Sequence, residues 1–449
     1  GTTIVNNGSQ TGFGRTGTVD WDTTAKTAGF TAVSGNGYFV NTTSGAITVT
    51  LPASPSANDI VAVSDYNSSA NTNSITVARN SSNINGGAND YVISKGKSAV
   101  TFVYVDATAG WTSVYTANPT DNTNPFIVAT GGTTTEDGDF KVHTFTGPGT
   151  FTVSNAATCS GNNIVSYMVV AGGGGGGADW SACTGGAGAG AGGFREFKST
   201  TDTYTASPLN GNPGGTAVTV TATAYPIVVG AGGAGKIGAC GQPVTPSNGN
   251  PSVFSTVIST GGGGGATNNA GASPPIQVGG NGGSGGGSPF YNIAGTGTGN
   301  TPPVSPAQGT NGGQGSPDST NGYRSGGGGG ATSAGANGNP GDGGGGNGAT
   351  TSISGSPTAY AGGGGGGFYG PQAPQPGGSG GPGGGGAGGQ PPCGPAGTPA
   401  LGRSDGSNGT ANTGGGGGGG TGANPTNGGG GADGGTGGSG IVIIRYKFQ

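Results

Sequence analysis

Charge is what this sequence lacks most: Asp, Glu, Lys and Arg make up 7% of it, and hydrophobic residues only 29%. A globular domain usually carries about 25% charged and about 45–50% apolar residues. The 13 Lys and Arg are scattered among 17 Asp and Glu, for a net charge of −4. Phosphate backbones demand clustered cations, so no nucleic-acid partner is expected. No apolar stretch approaches the roughly 20 residues of a membrane helix. Met168–Ala171 and Ile441–Ile444 are strand-sized, and no membrane insertion is expected.

Metal-ligating and catalytic residues are also scarce. His143 is the one histidine, and the 4 cysteines form no CxxC pair, so neither a zinc site nor any cofactor is expected. Cys159, Cys183, Cys240 and Cys393 are candidates for disulfides outside the cell or for free thiols, and spacing does not choose among the pairings. The glutamates are Glu136 and Glu196, so a paired-carboxylate site would have to rest on aspartates. Glu136, Asp137 and Asp139 read as a solvated turn, and His143 as a surface or hydrogen-bonded residue of a strand. Gly282–Gly286 matches a nucleophile-elbow string without the strand-to-helix context that gives it meaning. Gly96-Lys97-Ser98 has Tyr91 where a P-loop needs its first glycine. No enzymatic activity is expected. The chain opens at Gly1 without signal-like regions, which implies a removed leader or a trimmed start.

Glycine is what the sequence has instead: 115 residues, of which 96 fall between Ala171 and Gly440. Two materials are therefore joined near residue 170, and only the first has the composition of an ordinary core. No convincing amphipathic helix occurs, and the predicted fold class is all-β with little or no α-helix. Residues 1–20 read as an assembly arm, in which Thr2, Thr3, Ile4, Val5 and Asn6 form a strand without a local partner. Residues 21–117 read as a β-sandwich-like module. Ile47-Thr48-Val49-Thr50-Leu51 alternates with period two, and Asp59–Val63, Ser74–Ala78, Ala99–Val105 and Gly110–Tyr115 continue the strand-and-turn spacing. Residues 118–125 are a linker.

Residues 126–449 read as a glycine-rich domain. Its β-base covers 126–230 and 441–449, because the apolar run Ile441–Tyr446 needs a partner and the nearest β-set lies far upstream. Strands are expected at Phe140–Phe145, Thr150–Val153, Ile164–Val170, Thr216–Val220 and Tyr225–Val229. About 231–440 would be an excursion out of that base. Uninterrupted glycine recurs at 172–177, 261–265, 326–330, 343–346, 362–367, 383–386, 414–420 and 428–431. No G-X-Y period holds, which excludes collagen. Runs of similar length suit extended three-residue-per-turn helices of the polyglycine II type, rising about 3.1 Å per residue and bonding laterally. Phe290, Tyr291, Tyr323, Tyr360, Phe368 and Tyr369 lie between runs, suited to surface or receptor contact or to capping the glycine helices.

The segment Thr144-Phe145-Thr146-Gly147-Pro148-Gly149-Thr150-Phe151-Thr152-Val153, followed by Tyr167-Met168-Val169-Val170-Ala171-Gly172-Gly173, resembles the opening of the glycine-rich domain of bacteriophage tail-fibre and adhesin proteins. Gly192-Gly193-Phe194-Arg195-Glu196 and the ending Gly438–Tyr446 fit that pattern, and Gly37–Val40, Ile47–Pro55, Phe102–Asp106 and Gly110-Trp111 resemble β-modules of such fibres. The resemblance implies a structural subunit of an extracellular or virion fibre. Its partners would be other copies of itself and a host cell-surface glycan or protein. The alternative is a self-polymerising fibril subunit that exchanges its N-terminal strand and has no receptor role. No coiled-coil heptads accompany either reading.

Overall fold

The computed structural model describes residues 19–116, 126–157, 160–178, 185–238, 247–267, 278–290, 295–316, 323–369, 376–390, 404–421 and 431–449. Among them there is no α-helix, only a short 3₁₀ turn at Ser160–Asn163. Residues 1–126 and 127–448, apart from short pieces, form two compact units. The expected assembly strand Thr2–Asn6 and all four cysteines lie outside the described residues.

The first unit holds β1 (Asp20–Lys26), β2 (Phe30–Thr31), β3 (Asn36–Val40), β4 (Ile47–Thr50), β5 (Ile60–Asp65), β6 (Ile75–Ala78), β7 (Tyr91–Ile93), β8 (Ala99–Tyr104) and β9 (Trp111–Thr116). Successive strands cross between two sheets, ordered β1-β3-β5-β8-β9 and β2-β4-β6-β7. Neighbours β1–β3–β5 and β2–β4–β6 are therefore parallel, with a strand of the opposite sheet as the crossover. Antiparallel pairs β5–β8, β8–β9 and β6–β7 close the roll. The alternation read in the sequence is visible here: Ile47 and Val49 are buried while Thr48 is exposed. They join Val61, Val63, Ile75, Val77, Phe102 and Trp111 in one core between the sheets.

The second unit adds β10 (Val128–Thr130), β11 (Thr133–Asp137), β12 (Phe140–Phe145), β13 (Gly149–Asn155), β14 (Ile164–Val170), β15 (Phe194–Phe197), β16 (Val218–Thr219), β17 (Ala224–Val228), β18 (Ser252–Phe254), β19 (Val257–Ser259), β20 (Tyr323–Arg324), β21 (Ala349–Thr351), β22 (Thr358–Tyr360), β23 (Phe368–Tyr369) and β24 (Ile441–Lys447). One base sheet runs β10-β13-β17-β18-β19 and the other β11-β12-β24-β14-β15, with β16 beside β14. Strand β24 lies between β12 and β14, antiparallel to both, with Ile444 opposite His143 and Tyr167. It is buried from Ile441 to Tyr446, which is why Ile441–Ile444 is a continuous apolar run and not an alternation. Ile441 and Ile443 enter a cluster with Val142, Met168 and Val170. Tyr446 faces the other way, toward His143 and Phe151.

The glycine runs rise from this base. In 172–177, Gly172 and Gly175 donate to Asn250 and Ser247 (3.0 and 2.8 Å), Gly173 and Gly176 to Gly438 and Gly435 (3.0 and 2.8 Å), and Gly174 and Gly177 to Gly190 and Ala187 (both 2.9 Å). Their carbonyls accept with the same period of three: Gly172 and Gly175 from Gly262 and Gly265, Gly173 and Gly176 from Gly233 and Lys236, Gly174 and Gly177 from Gly417 and Gly420. Six segments thus surround one, and three residues make one turn, the geometry of a polyglycine II lattice. Run 362–367 is enclosed in the same way by 383–386, 343–346, 186–189, 416–419, 378–381 and 325–328.

Space is what makes glycine necessary here. A Cβ on Gly176 would lie against the carbonyl of Gly418, and one on Gly173 against that of Gly415, closer than real Cβ contacts come. Among the described glycines of the runs, positive φ occurs where a run begins, at Gly343, Gly383, Gly384 and Gly414. The lattice differs from the sequence-based boundary in two respects. It begins at Gly172, well before residue 231, and it is not one excursion. The chain returns to the base at β15, at β17–β19 and at β21–β22 before β24, while other reversals, such as 300–306 and 411–414, are turns without a strand.

Gly176→Ala should destabilise the protein by about 1–3 kcal/mol, the usual cost of overpacking. Gly147→Ala, where a Cβ would meet nothing within 4 Å, should change stability by less than about 0.5 kcal/mol. Chemical denaturation of both variants checks this, and equal effects would contradict the packing argument.

Candidate functional site

Hydrogen-bond polarity gives the lattice two ends. Runs that leave a base strand, such as 172–177 after β14, 230–238 after β17 and 260–267 after β19, are parallel to one another, as their paired donors show. Segments 187–190, 247–250 and 435–438 run antiparallel to them and lead back to β15, β18 and β24. All outgoing runs therefore finish at the end away from the base. Ala178, Gly238, Thr267, Phe290, Ser316 and Phe368 stand at that end.

Aromatic residues gather there. Strand β20 pairs with β23, setting Tyr323 opposite Tyr369 and Arg324 opposite Phe368. The Phe290 and Tyr323 rings meet edge to face at 4.3 Å, and the Arg324 guanidinium lies over the Phe368 ring at 4.7 Å. Phe290 and Phe368 are 2% and 3% exposed, whereas Tyr323 and Arg324 are half-buried. Of the aromatics expected either at a contact surface or as caps of the glycine helices, Phe290, Phe368 and Tyr360 are interior residues. Tyr360 belongs to the base core beside Met168 and Ile443. Rings that carry a large apolar area are drawn in by a lattice that offers almost no other side chains to bury. Tyr291 lies outside the described residues, and Tyr369 is placed only through its backbone pairing. Tyr323 and Arg324 are left as the accessible part of the cluster, and sequence reasoning had not singled out Arg324.

The sides of the lattice are closed differently. Where a neighbouring segment is missing, Asn and Asp side chains supply the absent carbonyl. Asn248 accepts from Gly264 N (2.9 Å), Asn281 from Thr298 N (2.7 Å), Asn311 from Gly299 N (2.9 Å) and Asn337 from Gln314 N (2.8 Å). Asp405 and Asn408, three residues apart, accept from Asp433 N and Thr436 N, again three apart, both at 2.8 Å. The Asn-rich composition between runs has this physical use.

Ionisable groups concentrate in the base. Arg445 is 1% exposed; its Nε donates to both oxygens of buried Asp202 (3.0 and 3.2 Å) and its Nη1 to Asp137 (2.8 Å). Ser166 also donates to Asp202, at 2.8 Å. Glu196, equally buried, accepts from Tyr204, the Ser207 amide and Thr351. Burial and the Glu196 carboxylate push the Tyr204 phenol well above its usual range. Asp137, read from sequence as part of a solvated turn, is thus half-exposed but paired to Arg445. Nothing local in the sequence signals that pair, whose members are more than 300 residues apart. With Arg445, Asp202 and Glu196 buried and paired, the network fastens segments far apart in the chain.

His143 is fully buried, with Nδ1 2.6 Å from the Gly131 carbonyl and Nε2 3.0 Å from the Tyr446 hydroxyl. A carbonyl only accepts, so Nδ1 carries the proton and Nε2 accepts from Tyr446. Burial lowers the His143 pKa from 6.5.

Two outcomes follow for the base. Asp202→Ala leaves Arg445 without its buried partner and should cost about 3–5 kcal/mol, whereas Asp137→Ala, at the half-exposed contact, should cost less than about 1 kcal/mol; denaturant titration separates them. Because folding depresses the His143 pKa, the unfolded chain binds the extra proton. Stability should then fall as pH drops below about 6.5 and level off below the folded-state value. With no second histidine in the chain, His143→Gln should abolish this slope between neutrality and the carboxylate range.

Residues 144–447 match a protein family described as a glycine-rich domain. No curated protein matches the chain.

Proposed function

This chain belongs to the glycine-rich domain family, and on that premise we propose that it is a structural subunit of an extracellular or virion fibre, acting by assembly and by attachment to a host surface. The observation that carries this reading is the lattice with its common polarity: every outgoing run finishes at the end away from the β-base. A block of this kind holds the residues that end its runs at a fixed distance from the base. Tyr323 and Arg324 stand at the far end, a planar ring and a cation suited to a sugar face or an acidic surface. The likeness of the Thr144–Gly173 stretch to phage tail fibres and adhesins favours a virion fibre tip within this class. The second reading, a self-polymerising fibril subunit, is favoured by the alternating Thr2–Asn6 pattern, which suits strand addition into a neighbouring copy.

Negative-stain microscopy of the purified full chain discriminates between them. Discrete short fibres are expected, and deletion of residues 1–18, which spares β1, should leave a folded protein. Long uniform filaments that vanish on that deletion would favour the second reading. For attachment, Tyr323→Ala with Arg324→Ala should weaken adsorption to a bound surface about tenfold or more, equivalent to about 1.4 kcal/mol. Unchanged adsorption would move the contact off this cluster.

A further inference from the structure

The run 230–238 occupies the rim of the lattice and has neighbours on one side only. Gly233 and Lys236 donate to Gly173 and Gly176, and the carbonyls of Gly230, Ala231, Gly233 and Lys236 accept from Gly440, Asn250, Gly437 and Gly434. On the open side, the N–H groups of Ala231, Gly232, Ala234, Gly235 and Ile237 meet no partner among the described residues, and neither do the carbonyls of Gly232 and Gly235. An Asp side chain caps this edge at its far end, where Asp433 Oδ1 accepts from Gly238 N at 2.7 Å, and the donors before it have no such cap among the described residues. The row facing outward, Val228, Ala231, Ala234 and Ile237, has the lattice spacing of three and is exposed, Ile237 at 69% and Val228 at 44%. At its base, Val228 lies opposite Val253, and Val253 opposite Ile258, which is 55% exposed. The apolar surface therefore continues onto the sheet.

Several outward rows elsewhere carry a block against a neighbour. They carry Pro376 and Pro382, Asn337 and Pro340, or Asp405 and Asn408, as natural sheet edges carry proline and charge. The 231/234/237 row carries no such block.

We propose that this edge is the docking site for a second copy of this chain, with the two 230–238 runs antiparallel about a two-fold axis. Donor and acceptor rows lie on the same edge, so it is complementary to itself, as a two-fold contact requires. Nine residues at about 3.1 Å each give a seam about 28 Å long. The occupant must be a glycine-rich segment, because runs approach closely enough that a Cβ on most of their glycines would strike a carbonyl. Alanine is admitted where the packing provides room, as fully enclosed Ala187, Ala189 and Ala191 demonstrate. In the antiparallel pair Ile237 of one copy covers Val228 of the other. The inference rests on the assembling role proposed above and names one of its contacts.

The test is sedimentation of the full chain over a wide concentration range, beside a variant carrying Ala231→Pro and Ala234→Pro. Proline suits the extended φ of such a run, and the residue before it favours the extended region. The variant therefore removes two donors without unwinding the segment, and an unchanged melting curve checks this. Self-association is expected for the parent chain, weakened about tenfold or more in the variant. A photo-crosslinking residue at position 237 should join residues 228–231 of a second copy, which keeps the test decisive should the proline variant misfold. Association undiminished by the prolines, with the crosslink landing elsewhere, overturns this edge and leaves the assembling role standing. A parent chain that is monomeric throughout overturns both.

Discussion

Lateral hydrogen bonding between backbone segments of three-residue period is the interaction on which the second unit depends. Its glycine runs bring almost no side-chain area to bury, and ordering glycine costs more backbone entropy than ordering any other residue. Each net hydrogen bond returns only about 0.5–1.5 kcal/mol, so the arrangement holds only if nearly every group in it is paired. Run 172–177 meets that condition by donating to three segments and accepting from three more. Close approach and complete pairing are one requirement, since the absence of Cβ atoms lets the carbonyls reach neighbouring amides. Ordinary cores tolerate a change of apolar shape by local repacking. A backbone lattice has no such slack.

The β-base supplies what the lattice lacks. Short runs bring little side-chain area to hold their register, and the chain returns several of them to strands whose side chains interlock conventionally. Strand β24 is central in both senses: it lies between β12 and β14, and it is the last segment of the chain to enter the sheet. Its Arg445 reaches Asp202 and Asp137 on separate segments, tying the closure with buried charge. Such a pair adds little net stability over an apolar substitute but penalises misplacement heavily. That suits a strand that must find its slot after a long detour.

Lattice edges present the problem that sheet edges present, and they are managed by similar means. Asn and Asp caps and outward prolines quiet several sides, while the Ala231, Ala234 and Ile237 row stays apolar and exposed. A protein read as a fibre component needs both kinds of side, closed ones for solubility and open ones for assembly. Aromatic rings follow the same economy. Phe290 and Phe368 turn inward at the far end because burial is scarce, leaving Tyr323 and Arg324 at the rim.

Much of this was legible in the residues. Composition and spacing together pointed to an all-β chain with a glycine-helix region, because no amphipathic period exists and glycine runs recur at similar lengths. The isolated run Ile441–Tyr446 announced a returning strand, since an apolar segment without a local partner must find a distant one. Other features were beyond the sequence. Parallel crossing between two sheets in the first unit leaves the same alternation as antiparallel hairpins, and β1, β2 and β7 are too polar or too short to stand out. The repeated returns to the base follow from which run neighbours which, a choice made only in three dimensions. Arg445 and Asp202 meet across 243 residues, and which aromatics lie inside and which at the rim depends on the enclosure that only the folded lattice provides. Local pattern fixes what each segment can become; the lattice, by demanding a partner for every amide, decides where each one goes.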